Sequence, residues 1–244
     1  MVRIVDFDRR SDEILKDTIE LYLETAQPVS SEILVEKYKL DWSPATVRNI
    51  LKDLEEKGLL THPYTSAGRI PTDKGYHYYI KHLMAVAELS DKEKEFLDSL
   101  FETYSIFDRE DSVLDAAIKI LTTITHYASL YAVEDRYLVK YKGLNYLFEQ
   151  PEFKSVEIIE SIIKALEEGK FLELLERRQG DQLEIWIGKE CYLTDVDCCS
   201  LIVSNCSGGY NKNVKLGVLG PKRMAYNKVV PIIDYLANLV SGEL

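Results

Sequence analysis

The chain has 244 residues, 46% of them hydrophobic, with a formal net charge of −11 at neutral pH. That length and apolar content suffice for a buried core in one or two domains, and they exclude extensive disorder, collagen-like repeats and coiled coils. The acidity argues against a protein that coats nucleic acid indiscriminately, while leaving a sequence reader open.

The start, MVRIVDFDRRSDEI, lacks the apolar stretch and cleavage site of a signal peptide, and no apolar run reaches the roughly 20 residues of a bilayer span. The expected location is therefore the cytoplasm. Residues 11–25 carry apolar positions at Ile14, Leu15, Ile19, Leu21 and Tyr22 with acids in the first turn, which predicts an amphipathic helix ended by Ala26-Gln27-Pro28. Ser30 or Ser31 caps a second, shorter helix, SSEILVEKY, and a turn around Leu40-Asp41-Trp42 follows. The third helix has the clearest start in the chain: Ser43 as N-cap, Pro44 at the first helical position, then ATVRNILKDLEEK until Gly58 stops it.

At 100° per residue, Val47, Ile50, Leu51 and Leu54 fall on one side of that helix and are expected to face the core. Ala45, Asn49 and Lys52 point away from it, with Arg48 on the flank. Such a face suits a major-groove reader: a small residue for close approach or a thymine methyl, an amide that binds adenine twice, and cations for guanine or phosphate. An ordinary solvated face has the same composition, so the helix alone does not decide between the two. Residues 43–84 nevertheless hold six basic against four acidic residues, plus three histidines, in a chain that is acidic overall.

The segment LLTHPYTSAGRIPT that follows predicts two short strands, Leu59–His62 and Arg69–Ile70, around a tip at Ser66-Ala67-Gly68. Three short helices and this hairpin make a winged helix-turn-helix, continued by a helix, DKGYHYYIKHLM, that Thr72 caps. In the wing, Gly68 permits a tight turn, Thr65 and Ser66 offer hydroxyls and amides to phosphate, and Arg69 is placed to enter a minor groove or pair with phosphate. Ser43 and Thr46 are further candidates for phosphate anchoring. Tyr76, Tyr78 and Tyr79 are expected to pack against the wing or a partner subunit.

Beyond Met84, SDKEKEFLDSLFETY with Ser90 as cap predicts a solvated connecting helix, and a further helix spans about 112–128. The pattern then changes to short Val- and Ile-rich runs, SLYAV, RYLVKY, LEIWI, SLIVS and VKLGVLG, with helices at about 155–168 and 223–240. The second half is accordingly α+β, one sheet with helices on a face. The expected division is a DNA-binding domain at 1–84, a connector at 85–110 and an α+β domain at 111–244.

No HExxH, GxSxG, P-loop or dinucleotide fingerprint is present. The histidines, His62, His77, His82 and His126, lie far along the chain from Cys191, Cys198, Cys199 and Cys206, whose spacings form no CxxC pair. Neither catalysis nor a cofactor or metal is expected, and the thiols are expected reduced and partly buried. The segment GPKRM at 220–224 opens a helix after a strand, so it either holds an anion or pairs its charges within the fold.

The stretch WSPATVRNILKDLEEKGLLTHPYTSAGRIPTDKGYHYYIKHLM resembles the N-terminal domain of the HrcA family of bacterial heat-inducible transcription repressors, whose pattern is an SxATIRN helix, a LEExGxL end and an HTSAGRIPTxxGY wing. Tyr64 stands where that family usually has His, and His77 where Arg is usual. GLNYLFEQPEF and VKLGVLGPKRMAYNKVV are similar to two segments of the family's GAF-like domain, so the resemblance spans the chain. It implies a GAF-like fold for the second half, a homodimer on an inverted-repeat operator of the CIRCE type upstream of chaperonin and heat-shock operons, and modulation by the GroEL chaperonin. Family members are about a hundred residues longer, and the missing part, an inserted dimerisation region, is expected between Ala132 and Gly143. Two other functions use the same scaffold: a ligand-sensing regulator of other genes, and a chaperone-docking module without productive DNA binding.

Overall fold

The computed structural model describes residues 9–64, 67–105, 110–171, 173, 182–191, 193, 196–207 and 213–243. The chain divides into two compact units between Ala85 and Val86.

In the N-terminal unit, α1 (Arg9–Thr25), α2 (Ser31–Tyr38) and α3 (Pro44–Glu56) precede a two-stranded hairpin, β1 (Leu60–Thr61) and β2 (Ile70–Pro71), and α4 (Asp73–Tyr78). Each start is capped as its sequence dictates: Ser30 Oγ accepts the Ile33 N–H, Ser43 Oγ that of Thr46, and Thr72 Oγ1 that of Gly75. Gly58, at φ +71°, turns the chain out of α3, a conformation that costs a residue without Cβ little. The apolar faces of α1 to α3 close over a core of Ile14, Leu15, Ile19, Leu34, Val47, Leu51 and Leu54, each at most 4% exposed. Of the tyrosines after the wing, Tyr78 Oη donates to Asp12 Oδ1 at 2.9 Å and Tyr79 Oη to Glu20 Oε1 at 3.3 Å, so these two rings fasten α4 and the following turn to α1.

The second unit contains α5 (Asp91–Tyr104), α6 (Glu110–Thr125), β3 (Ala128–Val133), β4 (Leu138–Lys142), α7 (Leu144–Glu149), α8 (Val156–Glu167), β5 (Leu183–Ile187), β6 (Cys199–Ser207), β7 (Asn213–Pro221) and α9 (Tyr226–Glu243). Five strands form an antiparallel sheet in the order β4-β3-β7-β6-β5, so the fold is α+β with a winged helix-turn-helix ahead of it. Alternation along the strands sends Leu130, Ala132, Trp186, Leu201, Val203 and Leu219 to one face, where they meet Leu147, Phe153, Ile162 and Phe171. The other face, with Tyr131, Ile202, Leu216 and Val218, lies against α6 and α9. Helical residues therefore cover both faces, where sequence predicted one. The sixth helix ends at Thr125, earlier than expected, because His126 takes the left-handed conformation at φ 53° and releases the chain into β3. Between β3 and β4 the chain turns within residues 134–137, with Val133 directly opposite Leu138.

Candidate nucleic-acid interface

Helix α3 is rotated so that its apolar stripe is buried, with Val47 and Leu54 at 0% exposure. Ile50, expected inside with them, is only half-buried because it sits at the margin of that stripe. Ser43, Ala45, Thr46, Arg48, Asn49 and Lys52 are all exposed. They occupy the first two and a half turns, the part of a helix that enters a groove end-on. Ser43 has a second occupation. Its Oγ accepts the Thr46 N–H at 3.2 Å and lies 3.0 Å from Thr46 Oγ1, so both hydroxyls are engaged in starting the helix.

The wing is held by more than its own hairpin. Leu60 pairs with Pro71 and Thr61 with Ile70. Arg69 N–H donates to the Val29 carbonyl at 2.7 Å and Val29 N–H to the Arg69 carbonyl at 2.9 Å, which makes the turn between α1 and α2 a third strand position. Gly68 makes this approach possible: a Cβ built there lies 2.5 to 2.7 Å from the backbone C, O and N of Val29. Thr72 closes the far end, its Oγ1 donating to the Gly58 carbonyl at 2.7 Å. Thr65 and Ser66 lie outside the described residues.

The cations of this face are each matched to a carboxylate. Arg48 Nη2 lies 2.6 Å from Glu32 Oε1, and Lys52 Nζ 3.6 Å from Glu56 Oε1, both pairs exposed. Arg69 Nη2 lies 2.8 Å from Glu55 Oε2, and its Nη1 donates to the Ala67 carbonyl at 3.3 Å. Glu55 also holds His62 Nδ1 through its other oxygen. The Arg69 side chain is only 22% exposed, so it braces the wing against α3 with its charge matched by Glu55. Sequence reasoning placed the three cations on the interface and missed Glu32 and Glu55. Nothing local joins residue 32 to 48 or residue 55 to 69. Asn49 and Ala45 have no side-chain partner among the described residues, which leaves the centre of the face unoccupied.

In the second unit, the choice left open at GPKRM is decided for pairing within the fold. Arg223 Nε donates to Glu152 Oε1 at 2.5 Å, and its Nη2 to Glu152 Oε2 at 3.1 Å and Gln150 Oε1 at 2.8 Å. The guanidinium thus ties the QPEF segment to the loop before α9, a bidentate geometry only arginine supplies. All four cysteines are free, and burial pushes the Cys198 and Cys206 thiols up to about 12, far from a reactive thiolate. Among the described residues no cluster of His, Cys, Asp and Glu has the makings of a metal site, and no helix is long and apolar enough to cross a membrane.

Comparison with known proteins adds the family level. The profile of the HrcA protein C-terminal domain matches residues 79–230. A heat-inducible transcription repressor HrcA of Geobacter sulfurreducens is 28% identical over 342 aligned positions, covering 99% of each chain. Since this chain has 244 residues, about a hundred of those positions (342 less 244) have no counterpart in it. The HrcA of Prosthecochloris aestuarii is 43% identical over 131 residues, 53% of this chain and 37% of that one. A crystal structure of a hypothetical protein at 2.2 Å resolution superposes with a TM-score of 0.79, 19% identity and 98% of each chain covered, which shows a shared fold.

Proposed function

Because the chain belongs to the HrcA family of heat-inducible transcription repressors, we propose that it represses chaperonin and heat-shock operons by binding a CIRCE-type inverted repeat as a homodimer in the cytoplasm. The observation that carries this reading is the face of α3 on which Ala45, Arg48, Asn49 and Lys52 are exposed opposite the buried Val47, Leu51 and Leu54, beside a wing docked at its base. One such face spans one half-site, and two-fold symmetry of the protein matches the two-fold symmetry of an inverted repeat.

In this reading Asn49 contacts a base edge through its amide, Ala45 allows the approach, and Arg48 and Lys52 reach bases or flanking phosphates. Ser43, Thr46, Thr65, Ser66 and Gly68 contribute backbone and hydroxyl contacts to phosphate, and Arg69 adds its charge once it exchanges Glu55 for DNA. The protein acts by occupancy of the operator and has no catalytic step. The GroEL chaperonin maintains the active form, and the direct β3 to β4 turn is where longer relatives carry their extra positions.

The test is fluorescence anisotropy on a CIRCE-like duplex and on the same duplex with one arm scrambled. Strong preference for the intact repeat supports a dimeric sequence reader. Equal, weak and salt-sensitive binding to both would refute it.

A further inference from the structure

The two arginines of the interface open into one hollow. A concavity of about 310 Å³ is lined by Ser30, Ser31 and Glu32 at the start of α2, Arg48 on α3, and Gly68 and Arg69 in the wing. Three separate segments of the chain converge there, brought together by the Val29 to Arg69 backbone pair. Both guanidiniums on its wall are engaged by carboxylates, Arg48 by Glu32 and Arg69 by Glu55. The Arg69 Nε is buried and has no hydrogen-bond partner among the described residues, so one donor of that guanidinium is unspent.

We propose that this hollow is the seat of a DNA backbone phosphate, and that Glu32 and Glu55 are displaceable stand-ins that occupy the two arginines until a phosphate replaces them. The inference rests on the reading of the chain as a DNA-binding repressor and adds a site and two acids to it. A guanidinium donates to a carboxylate or a phosphate oxygen alike, and each arginine meets its acid here through a single nitrogen, Nη2, so exchange asks only for a reach to the new partner. The Arg48 to Glu32 pair is open to solvent at 69% and 55% exposure, where holding such a pair together gains little. A phosphate is therefore able to displace it. The acids left nearby still repel phosphate, which keeps affinity for generic duplex low although residues 43–84 hold six basic against four acidic residues. They account for how an acidic chain with a basic reading head avoids sticking to DNA at large.

Two measurements on the full chain test the seat. Inorganic phosphate is titrated into the protein while the Nε–Hε resonances of Arg48 and Arg69 are followed by NMR, in the wild type and in Glu32→Gln. The expected result is a shift of both signals, with half-saturation at a several-fold lower phosphate concentration in the variant. In parallel, anisotropy on the scrambled duplex should show Glu32→Gln binding about 3- to 10-fold more tightly than wild type, with the log affinity against log salt slope steeper by about one. Glu55→Gln should act in the same direction, and Glu32→Gln, on an exposed side chain, guards against a folding artefact. Phosphate that leaves both arginines unmoved in both proteins, or a Glu32→Gln affinity and slope equal to wild type, would overturn the proposal. If phosphate moves both arginines while the intact repeat is not preferred, the seat stands and the operator reading falls. If the intact repeat is preferred while both arginines stay inert, the operator reading stands and the seat falls.

Discussion

Replacing Gly68 by Ala isolates the contact that sets the wing in place. The new Cβ would lie 2.5 to 2.7 Å from the Val29 backbone, where ordinary contacts begin near 3.4 Å, so the wing base must retreat by about 1 Å. The two hydrogen bonds between Val29 and Arg69, now 2.7 and 2.9 Å, cannot both survive that movement. At about 0.5–1.5 kcal/mol each, their loss amounts to about 1–3 kcal/mol. An N-terminal unit of this size has roughly 4–13 kcal/mol of stability, so the variant should stay folded with its wing undocked from the α1–α2 turn. Native-state hydrogen exchange reads this directly, because the Arg69 and Val29 amides are the two donors. Both should exchange roughly 5- to 150-fold faster, while the amides of Leu51 and Leu54 in α3 keep their protection. Affinity should fall on the intact and the scrambled duplex alike under the proposed mode, in which the wing anchors on phosphate. Wild-type protection at both amides together with wild-type affinity would refute the reasoning, since the close approach would then be relieved without cost.

Asn49→Ala should leave stability within about 0.5 kcal/mol and relax discrimination at a single operator position by about 1–3 kcal/mol, measured with a set of single-base operator variants; equal loss on intact and scrambled duplexes would remove Asn49 from base contact. Ser43→Ala should cost about 1 kcal/mol through loss of the α3 cap, whereas Ser43→Asp should retain the cap and weaken DNA binding by charge, a split that urea unfolding and anisotropy separate. Arg223→Gln should destabilise the second unit by about 1.5–3 kcal/mol, and a double-mutant cycle with Glu152→Gln should recover most of that as coupling. Asp17, buried in α1 beside Glu13 and Glu20, has its carboxyl raised by burial and then by those acids to about 6. The folded state then binds more protons than the unfolded one between pH ~4 and ~6, so stability falls as pH rises through that window and is level above it. Asp17→Asn should therefore match wild type near pH 4 and exceed it by about 1–2 kcal/mol at pH 7.5, as read from the N-terminal transition in urea, with solvent screening already discounted.

The parts legible from sequence are those governed by short-range rules. The caps at Ser30, Ser43, Thr72 and Ser90 each satisfy an N–H three residues on, and the stripe of Val47, Leu51 and Leu54 follows from 3.6 residues per turn. Strand alternation announced the sheet, whereas the placing of helices on both of its faces depends on how the whole chain closes. By itself, then, the sequence determined a winged helix-turn-helix with an outward Ala45, Arg48, Asn49 and Lys52, an α+β second half and, through resemblance, the family. Tertiary structure alone decided which charge meets which: Arg48 with Glu32, Arg69 with Glu55, Arg223 with Glu152. It likewise decided that Gly68 serves the Val29 approach and that Arg69 braces the wing. The reason is physical: a cap or a helical stripe depends on neighbours within one turn, whereas an ion pair between residues 16 or 71 positions apart depends on where the whole chain closes, and a charged side chain carries no local mark of its partner.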